Sequence, residues 1–212
     1  MFITLEGGEG AGKSTQARRL AASLNAAGTP ALLTREPGGA PGAEVLRGLL
    51  LSRDYDWSPP AETHLHFAAR AEHLARTVQP ALASGQVVVC DRFADSTMAY
   101  QGHGLGGDRA LIAALTLLLP VRPDLTLVLH ASPAVAAARI AARDRALDRY
   151  EAMDAGFHAR VAAGFMAIAA GEPDRCVVVD ADDGADEVQA AIWAVVSGRI
   201  LSGRIVSGRL AR

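Results

Sequence analysis

The clearest chemistry lies in the stretch Gly7-Gly8-Glu9-Gly10-Ala11-Gly12-Lys13-Ser14-Thr15, directly after the apolar run Phe2-Ile3-Thr4-Leu5. It fits the pattern G-x-x-x-x-G-K-[ST]. Glycines let the backbone curl so that successive N–H groups point at phosphate oxygens. The helix expected to begin at Lys13 adds its positive end. Lys13 brings a compact charge to the β- and γ-phosphates, and the Ser14 hydroxyl is placed to ligate Mg²⁺. A planar guanidinium would not fit inside such a loop. Lys13 is also the sole lysine, so 20 of the 21 Lys+Arg residues are arginine.

Two further strand ends carry charge. Val87-Val88-Val89-Cys90 runs into Asp91-Arg92-Phe93. A buried strand ending in Asp places a carboxylate beside Mg²⁺, and Arg92 at the same edge can clamp a phosphate. Ser96, Thr97, Tyr100 and Gln101 follow, and 97, 100 and 101 share one face at helical spacing. After Ala31-Leu32-Leu33 comes Thr34-Arg35-Glu36-Pro37-Gly38-Gly39, a stiff charged loop followed by a helix with Glu44 and Arg47. In open α/β sheets, ligands bind at this carboxyl edge. Asn-Lys-x-Asp, the guanine-reading motif of switch GTPases, needs a second lysine and is therefore absent.

The elements that must position these groups follow from periodicity. Strands are expected at Phe2–Leu5, Ala31–Thr34, Val87–Cys90, Leu125–Leu129 and Cys176–Val179. Helices are expected at Lys13–Ala27, Ala43–Leu51, Pro60–Ser84, Asp95–Leu119, Ala134–Arg143, Arg149–Ala169 and Ala185–Val196. Strands separated by helices imply an α/β fold with a five-stranded parallel sheet covered on both faces. With the phosphate-binding loop after the first strand, that order suits a P-loop NTPase fold. Residues 1–196 read as one domain, with a lid at about 143–150. Residues 197–212 repeat Ser-Gly-Arg and are expected to be a non-catalytic extension. A net charge of -2 argues against a nucleic-acid binder, and the longest apolar stretch, around Leu111 to Leu129, is broken by Pro120, Arg122, Pro123 and Asp124. The N-terminus lacks a secretory pattern. Cys90 and Cys176 read as buried reduced thiols. A cytoplasmic location and no membrane or nucleic-acid partner are expected.

Four blocks, in order, resemble the thymidylate kinase family: Glu-Gly-x-x-Gly-x-Gly-Lys-Ser-Thr, Thr-Arg-Glu-Pro-Gly-Gly, Asp-Arg-Phe-x-x-Ser-Thr-x-Ala-Tyr-Gln-Gly and Asp-Arg-Tyr-Glu. The resemblance implies ATP- and Mg²⁺-dependent conversion of dTMP to dTDP, and a homodimer through the helices flanking the third strand. It places the ATP phosphates on Gly8, Glu9, Gly10, Ala11, Gly12, Lys13, Ser14 and Thr15, with the metal near Ser14 and Asp91. Glu9 corresponds to the acidic residue near the sugar 3′-hydroxyl or the metal. The acceptor site takes Glu36, Arg47, Ser96 and Arg92, which binds the dTMP phosphate. Arg70 contacts the thymine edge, Thr97 and Gln101 the ring, and Tyr100 abuts the sugar. The family's base-stacking Phe falls on His66, with Phe67 one residue later; both face Arg70, so either ring can stack.

The segment Arg143-Asp144-Arg145-Ala146-Leu147-Asp148-Arg149-Tyr150-Glu151 resembles a bacterial lid that supplies catalytic arginine. Charge spreads over the transferring phosphoryl group, and an added arginine is worth about 10³–10⁵ in rate in related systems. The loop itself holds only Lys13 as a cation. Arg143 and Arg149 are the expected catalytic arginines beside Lys13, Arg92 and Glu9, with Arg145 a third candidate.

Two alternatives remain at this stage. One is a deoxynucleoside kinase on the same fold, with Glu9 or Glu36 as a base for a 5′-hydroxyl. The other is a nucleotide-binding regulatory protein using the arginine tail as an arm. Whichever holds, lysine-selective acylation should modify only Lys13 and the N-terminus, and ATP should protect Lys13. Peptide mass spectrometry reads this directly, and acylation of Lys13 that ignores ATP would contradict a phosphate role.

Overall fold

The computed structural model describes residues 1–144 and 146–201; Arg145 and the tail from 202 onward lie outside the described residues. The chain runs β1 (Phe2–Glu6), α1 (Lys13–Ala26), β2 (Ala31–Arg35), α2 (Pro41–Leu51), α3 (Pro59–His73), a π-helical stretch Leu74–Val78, and α4 (Gln79–Ala83). It continues through β3 (Val87–Asp91), α5 (Ala94–Thr97), a second π-helical stretch Met98–Gly104, α6 (Arg109–Leu117), β4 (Leu125–His130), α7 (Pro133–Ala141), α8 (Ala155–Gly171), β5 (Cys176–Asp180) and α9 (Ala185–Leu201). All pairings are parallel, in the order β2-β3-β1-β4-β5.

The sheet splits its side chains by strand alternation. Ile3, Leu5, Val87, Val89, Leu125, Leu127 and Leu129 pack with α1 and α9. Phe2, Val88 and Cys90 face the other layer with Leu74, Val78 and Phe93. On that second face β1 also carries Thr4 and Glu6. The Thr4 and Thr126 hydroxyls pair at 2.7 Å, and Arg175 joins Thr126 to Asp95. Glu6 lies where β1 turns into the phosphate loop. The register aligns Leu5 with Asp91, which brings the ends of β1 and β3 side by side.

Five predicted strands are present, each one residue longer than its apolar run. Three helices differ from expectation. The predicted Pro60–Ser84 helix contains the π-helical stretch. The predicted Asp95–Leu119 helix turns π-helical at Met98 and stops at Gly104; the Gly104–Gly107 region cannot hold a helix, and Asp108 caps a fresh start by accepting from Ala110 and Leu111 N–H. The predicted Arg149–Ala169 helix begins only at Ala155, capped by Asp154 on the Phe157 N–H at 2.7 Å. Before it, Asp148 Oδ1 accepts from the N–H groups of Tyr150 and Glu151, closing a turn through the Arg149-Tyr150-Glu151 block. The α9 helix extends to Leu201, so the first Ser-Gly-Arg unit continues it. Among the described residues, no helix is long and apolar enough to cross a membrane. Cys90 and Cys176 are free and buried.

Candidate active site

One cavity, of about 220 Å³, opens along the carboxyl edge of β1, β2 and β3. Its walls include Glu9, Gly12, Lys13, Ser14 and Thr15 from the loop, Glu36 and Arg47 from the second junction, and His66 and Arg70 from α3. Asp91, Arg92, Ser96, Thr97, Tyr100 and Gln101 come from the third junction, and Arg143, Asp148, Tyr150 and Glu151 from the lid. Phe67 and Arg149 lie outside this lining. Gly8, Gly10 and Ala11 belong to the loop backbone behind it. At Gly10 (φ +74) a Cβ would sit 2.4 Å from the Ala136 carbonyl oxygen, so α7 closes on the loop only because no side chain is there.

Lys13 reaches back across the loop, donating to the Gly8 carbonyl at 2.6 Å. Burial, and then Arg92, push its pKa down to about 8, against the pull of Glu9, Asp91 and Glu6. Ser14 Oγ donates to Asp91 Oδ2, while Asp91 Oδ1 is buried with no hydrogen-bond partner. A hydroxyl and a bare carboxylate oxygen are hard oxygen donors, which fit Mg²⁺. Among the described residues there is no cluster of three or more His, Cys, Asp or Glu able to hold a metal.

The hub of the site is Arg92. Its backbone is left-handed (φ 71), rare for a residue with a side chain and a cost of order 1 kcal/mol that surrounding contacts must offset. Its N–H donates to the Leu5 carbonyl at 3.0 Å. Nη2 donates to Glu9 at 2.5 Å, Nη1 donates to the Gly7 carbonyl and Ser96 Oγ, and the guanidinium sits 4.8 Å from the Tyr100 ring centroid. Tyr100 also donates its hydroxyl to Glu9 at 2.7 Å. Burial opposes the charge on Glu9, yet Arg92, Lys13, the Tyr100 hydroxyl and Arg143 together hold its carboxyl down at about 2. Burial likewise opposes the charge on Arg92, but Glu9 and the neighbouring acids raise its pKa above the ordinary arginine value. Beneath them Glu6 accepts from the Phe93 N–H at 2.7 Å and from Ser96 Oγ at 2.6 Å, pinning the turn that carries Arg92. Burial, and then Asp95, push Glu6 up to about 8.

A second cluster is built on α3. Arg70 is 2% exposed. Its Nε donates to Glu36 at 2.7 Å and Nη2 to Thr97 Oγ1 at 3.1 Å, while Nη1 is buried without a partner. Phe67 and Phe93 flank that guanidinium at 4.8 and 5.2 Å, so Phe67 stacks on Arg70 and His66 alone of the two rings lines the cavity. The other oxygen of Glu36 pairs with His73 Nδ1 at 2.9 Å, and His73 Nε2 meets Thr34 Oγ1 at 2.7 Å. Arg47 Nη1 donates to the Pro37 carbonyl at 2.7 Å. Gln101 Nε2 donates to Glu62 at 2.9 Å and to the Tyr150 hydroxyl at 3.1 Å. Burial, and then the arginines Arg70, Arg92 and Arg149, lower His66 to about 3, so its ring is neutral.

Arg143 and Arg149, the two arginines expected to be catalytic, part company. Arg143 lines the cavity and pairs with Glu151. Arg149 Nη1 instead lies 2.8 Å from Glu62 Oε2, in charge contact without hydrogen-bond alignment. Sequence reasoning passed over Glu6, Glu62 and His73. Glu6 stood out as a charge in an otherwise apolar strand. Glu62, His66, Arg70 and His73 recur at i+4, i+4 and i+3, one helical face, which was a usable signal.

A parallel 2-3-1-4-5 sheet flanked by helices, with a glycine-rich loop joining β1 to α1, is an α/β fold of the P-loop nucleoside monophosphate kinase kind. The sequence model of the thymidylate kinase family matches residues 5–192. The chain is 53% identical over 202 residues to the thymidylate kinase of Caulobacter vibrioides, covering 94% of this chain and 97% of that protein. It is 53% identical over 200 residues to that of Gluconobacter oxydans (92% and 94% covered). The crystal structure of thymidylate kinase from Ehrlichia chaffeensis superposes with a TM-score of 0.77 at 35% identity, covering 93% of this chain and 98% of that one. The chain therefore belongs to the thymidylate kinase family, ATP-dependent phosphotransferases that convert dTMP to dTDP.

The Lys13 environment generates a pH prediction. A lysine with a lowered pKa loses its charge as pH rises through about 8. The kcat/KM for ATP, which reports the free enzyme, should fall above pH 8, while kcat holds to higher pH because bound phosphates retain the proton. A kcat/KM that stays flat to about pH 9.5 would refute this role.

Proposed function

We propose that this cavity holds ATP and dTMP together and transfers the γ-phosphoryl group in line to the dTMP phosphate. The loop from Gly8 to Thr15 holds the ATP phosphates, with Lys13 leaving its Gly8 carbonyl for the β- and γ-oxygens. Ser14 and Asp91 Oδ1 hold Mg²⁺, which neutralises charge on the phosphates when bound. Arg92 turns a guanidinium edge to the acceptor phosphate, and Arg47 flanks it. Tyr100 and Glu9 border the sugar. The base edge meets Arg70, Thr97 and Gln101, with His66 over the ring.

The observation that carries this reading is the unpartnered Arg70 Nη1, with Gln101, Arg92 and the phosphate loop lining the same cavity. Arg70 offers a donor. Both Nε2 hydrogens of Gln101 are spent on Glu62 and Tyr150, so Gln101 offers an acceptor. Donor beside acceptor matches the O4 and N3–H of thymine.

Because the acceptor phosphate is already an anionic nucleophile, little proton transfer is required. Rate comes from positioning and from cations on the developing charge. Arg143 is the lid arginine facing that charge, and Arg149 acts from behind the base pocket. The deoxynucleoside kinase alternative needs a carboxylate base at a 5′-hydroxyl. Glu9, held at about 2 against Arg92, is too weak a base, and Glu36 is occupied by Arg70 and His73. A homodimer, a cytoplasmic location and a catalytically dispensable tail complete the proposal.

A coupled ADP-release assay tests it. Turnover with dTMP and none with thymidine is expected. Turnover with thymidine but not dTMP would overturn the reading.

A further inference from the structure

Glu62 lies on α3, is fully buried, and takes no part in the contacts assigned to substrate above. We propose that Glu62 is the positioning residue that fixes the hydrogen-bond polarity of the base pocket, and so its choice of base. This rests on the dTMP reading of the cavity and adds the device that enforces it.

The assignment follows from counting hydrogens. Glu62, set against the Arg149 guanidinium, is an acceptor. Tyr150 has one hydroxyl hydrogen and gives it to Glu62 Oε1 at 2.8 Å. The Tyr150 oxygen must then accept from its other neighbours. One is Gln101 Nε2 at 3.1 Å, and the other is His66 Nε2 at 3.0 Å. His66, whose ring is neutral, therefore carries its hydrogen on Nε2 and presents a bare Nδ1. Gln101 spends its second Nε2 hydrogen on Glu62 Oε1 at 2.9 Å. Its one remaining polar atom is the carbonyl oxygen. A single acid thus sets the hydroxyl direction, the histidine tautomer and the amide orientation.

That polarity has a chemical consequence. Gln101 can only accept from a ligand, so it suits a pyrimidine with a ring N–H at position 3. Cytosine presents a bare N3 there, and an amino group where Arg70 offers Nη1. Both contacts become repulsive, and a site built to hydrogen-bond one partner rejects the other strongly. Arg149 contributes an opposite charge 2.8 Å from Glu62 Oε2, which ties the lid turn to the base pocket.

Replacing Glu62 by Gln keeps the shape but lets either end of the amide face Gln101. Two readouts test the idea. The first is the His66 tautomer in the nucleotide-free full-length protein, from ¹⁵N–¹H correlation spectra of labelled histidine, with a His66→Phe variant to assign the signal. The Nε2–H tautomer is expected in the wild type and a mixture in Glu62→Gln. The second is the ratio of kcat/KM for dTMP over dCMP, which should fall about tenfold or more in Glu62→Gln. A general loss of folding would lower both substrates together and leave the ratio unchanged. An Nδ1–H tautomer in the wild type, or a dTMP/dCMP ratio unchanged in a Glu62→Gln variant whose circular dichroism and melting temperature match the wild type, would overturn the proposal. The tautomer is read without nucleotide, so it judges Glu62 whatever acceptor the wild type prefers. A wild type that fails to phosphorylate dTMP would instead overturn the reading beneath it.

Discussion

The ion pair between Arg92 and Glu9 is the constraint around which the site is assembled. Both groups are largely enclosed, and a buried charge without a partner costs several kcal/mol. One comes from the phosphate loop after β1, the other from the left-handed turn after β3. The parallel register of these strands brings the two junctions together, and the Arg92 N–H on Leu5 closes the seam. Glu6 fixes the turn from below, and Tyr100 covers the pair from above. In the proposed function, donor and acceptor phosphates would meet at a place whose charge is balanced before either arrives, so that little has to reorganise.

The same design recurs through the cavity. Arg70 is matched by Glu36, Arg149 by Glu62 and Arg143 by Glu151. Glu36 accepts from Arg70 Nε and leaves Nη1 without a partner, and Glu151 accepts from Arg143 Nη1, whereas Arg149, outside the cavity lining, meets Glu62 in charge contact alone. This gives physical content to the scarcity of lysine. A planar fork with five donors can be held by an acid on one edge while its other edge works, which a single ammonium cannot do. Lys13 survives where a compact point charge is needed inside the loop.

Much of this was legible in the sequence. The central strands β1, β3 and β4 could be read because they are buried on both faces, and the partly exposed edge strands β2 and β5 because each is still a short apolar run bounded by glycine, proline or charge. The loop, Asp91, Arg92, Thr97 and Gln101 could be singled out by their spacing from a strand end or along one helical face, whereas Arg70 came from the family resemblance alone. The lid turn was not, because Arg149–Ala169 carries helical composition and only the Asp148 and Asp154 caps decide where the helix starts. The partners of Arg149 and Gln101 were not either. Contacts between residues 62, 101 and 149 depend on how α3, the π-helical stretch after α5 and the lid pack together, and local periodicity carries no such information. Phe67 and His66 were separable only in three dimensions, where one ring lies on Arg70 and the other faces the cavity.

The central claim is that Arg92 and Glu9 act as one preorganised unit spanning the two phosphate sites. A double-mutant cycle on kcat/KM for dTMP tests it, using Glu9→Gln, Arg92→Lys and the pair combined. The two single costs should together exceed the cost of the double variant by at least about 1 kcal/mol, since either change already breaks the unit. Costs that add to within about 0.5 kcal/mol would show two independent residues and contradict the account.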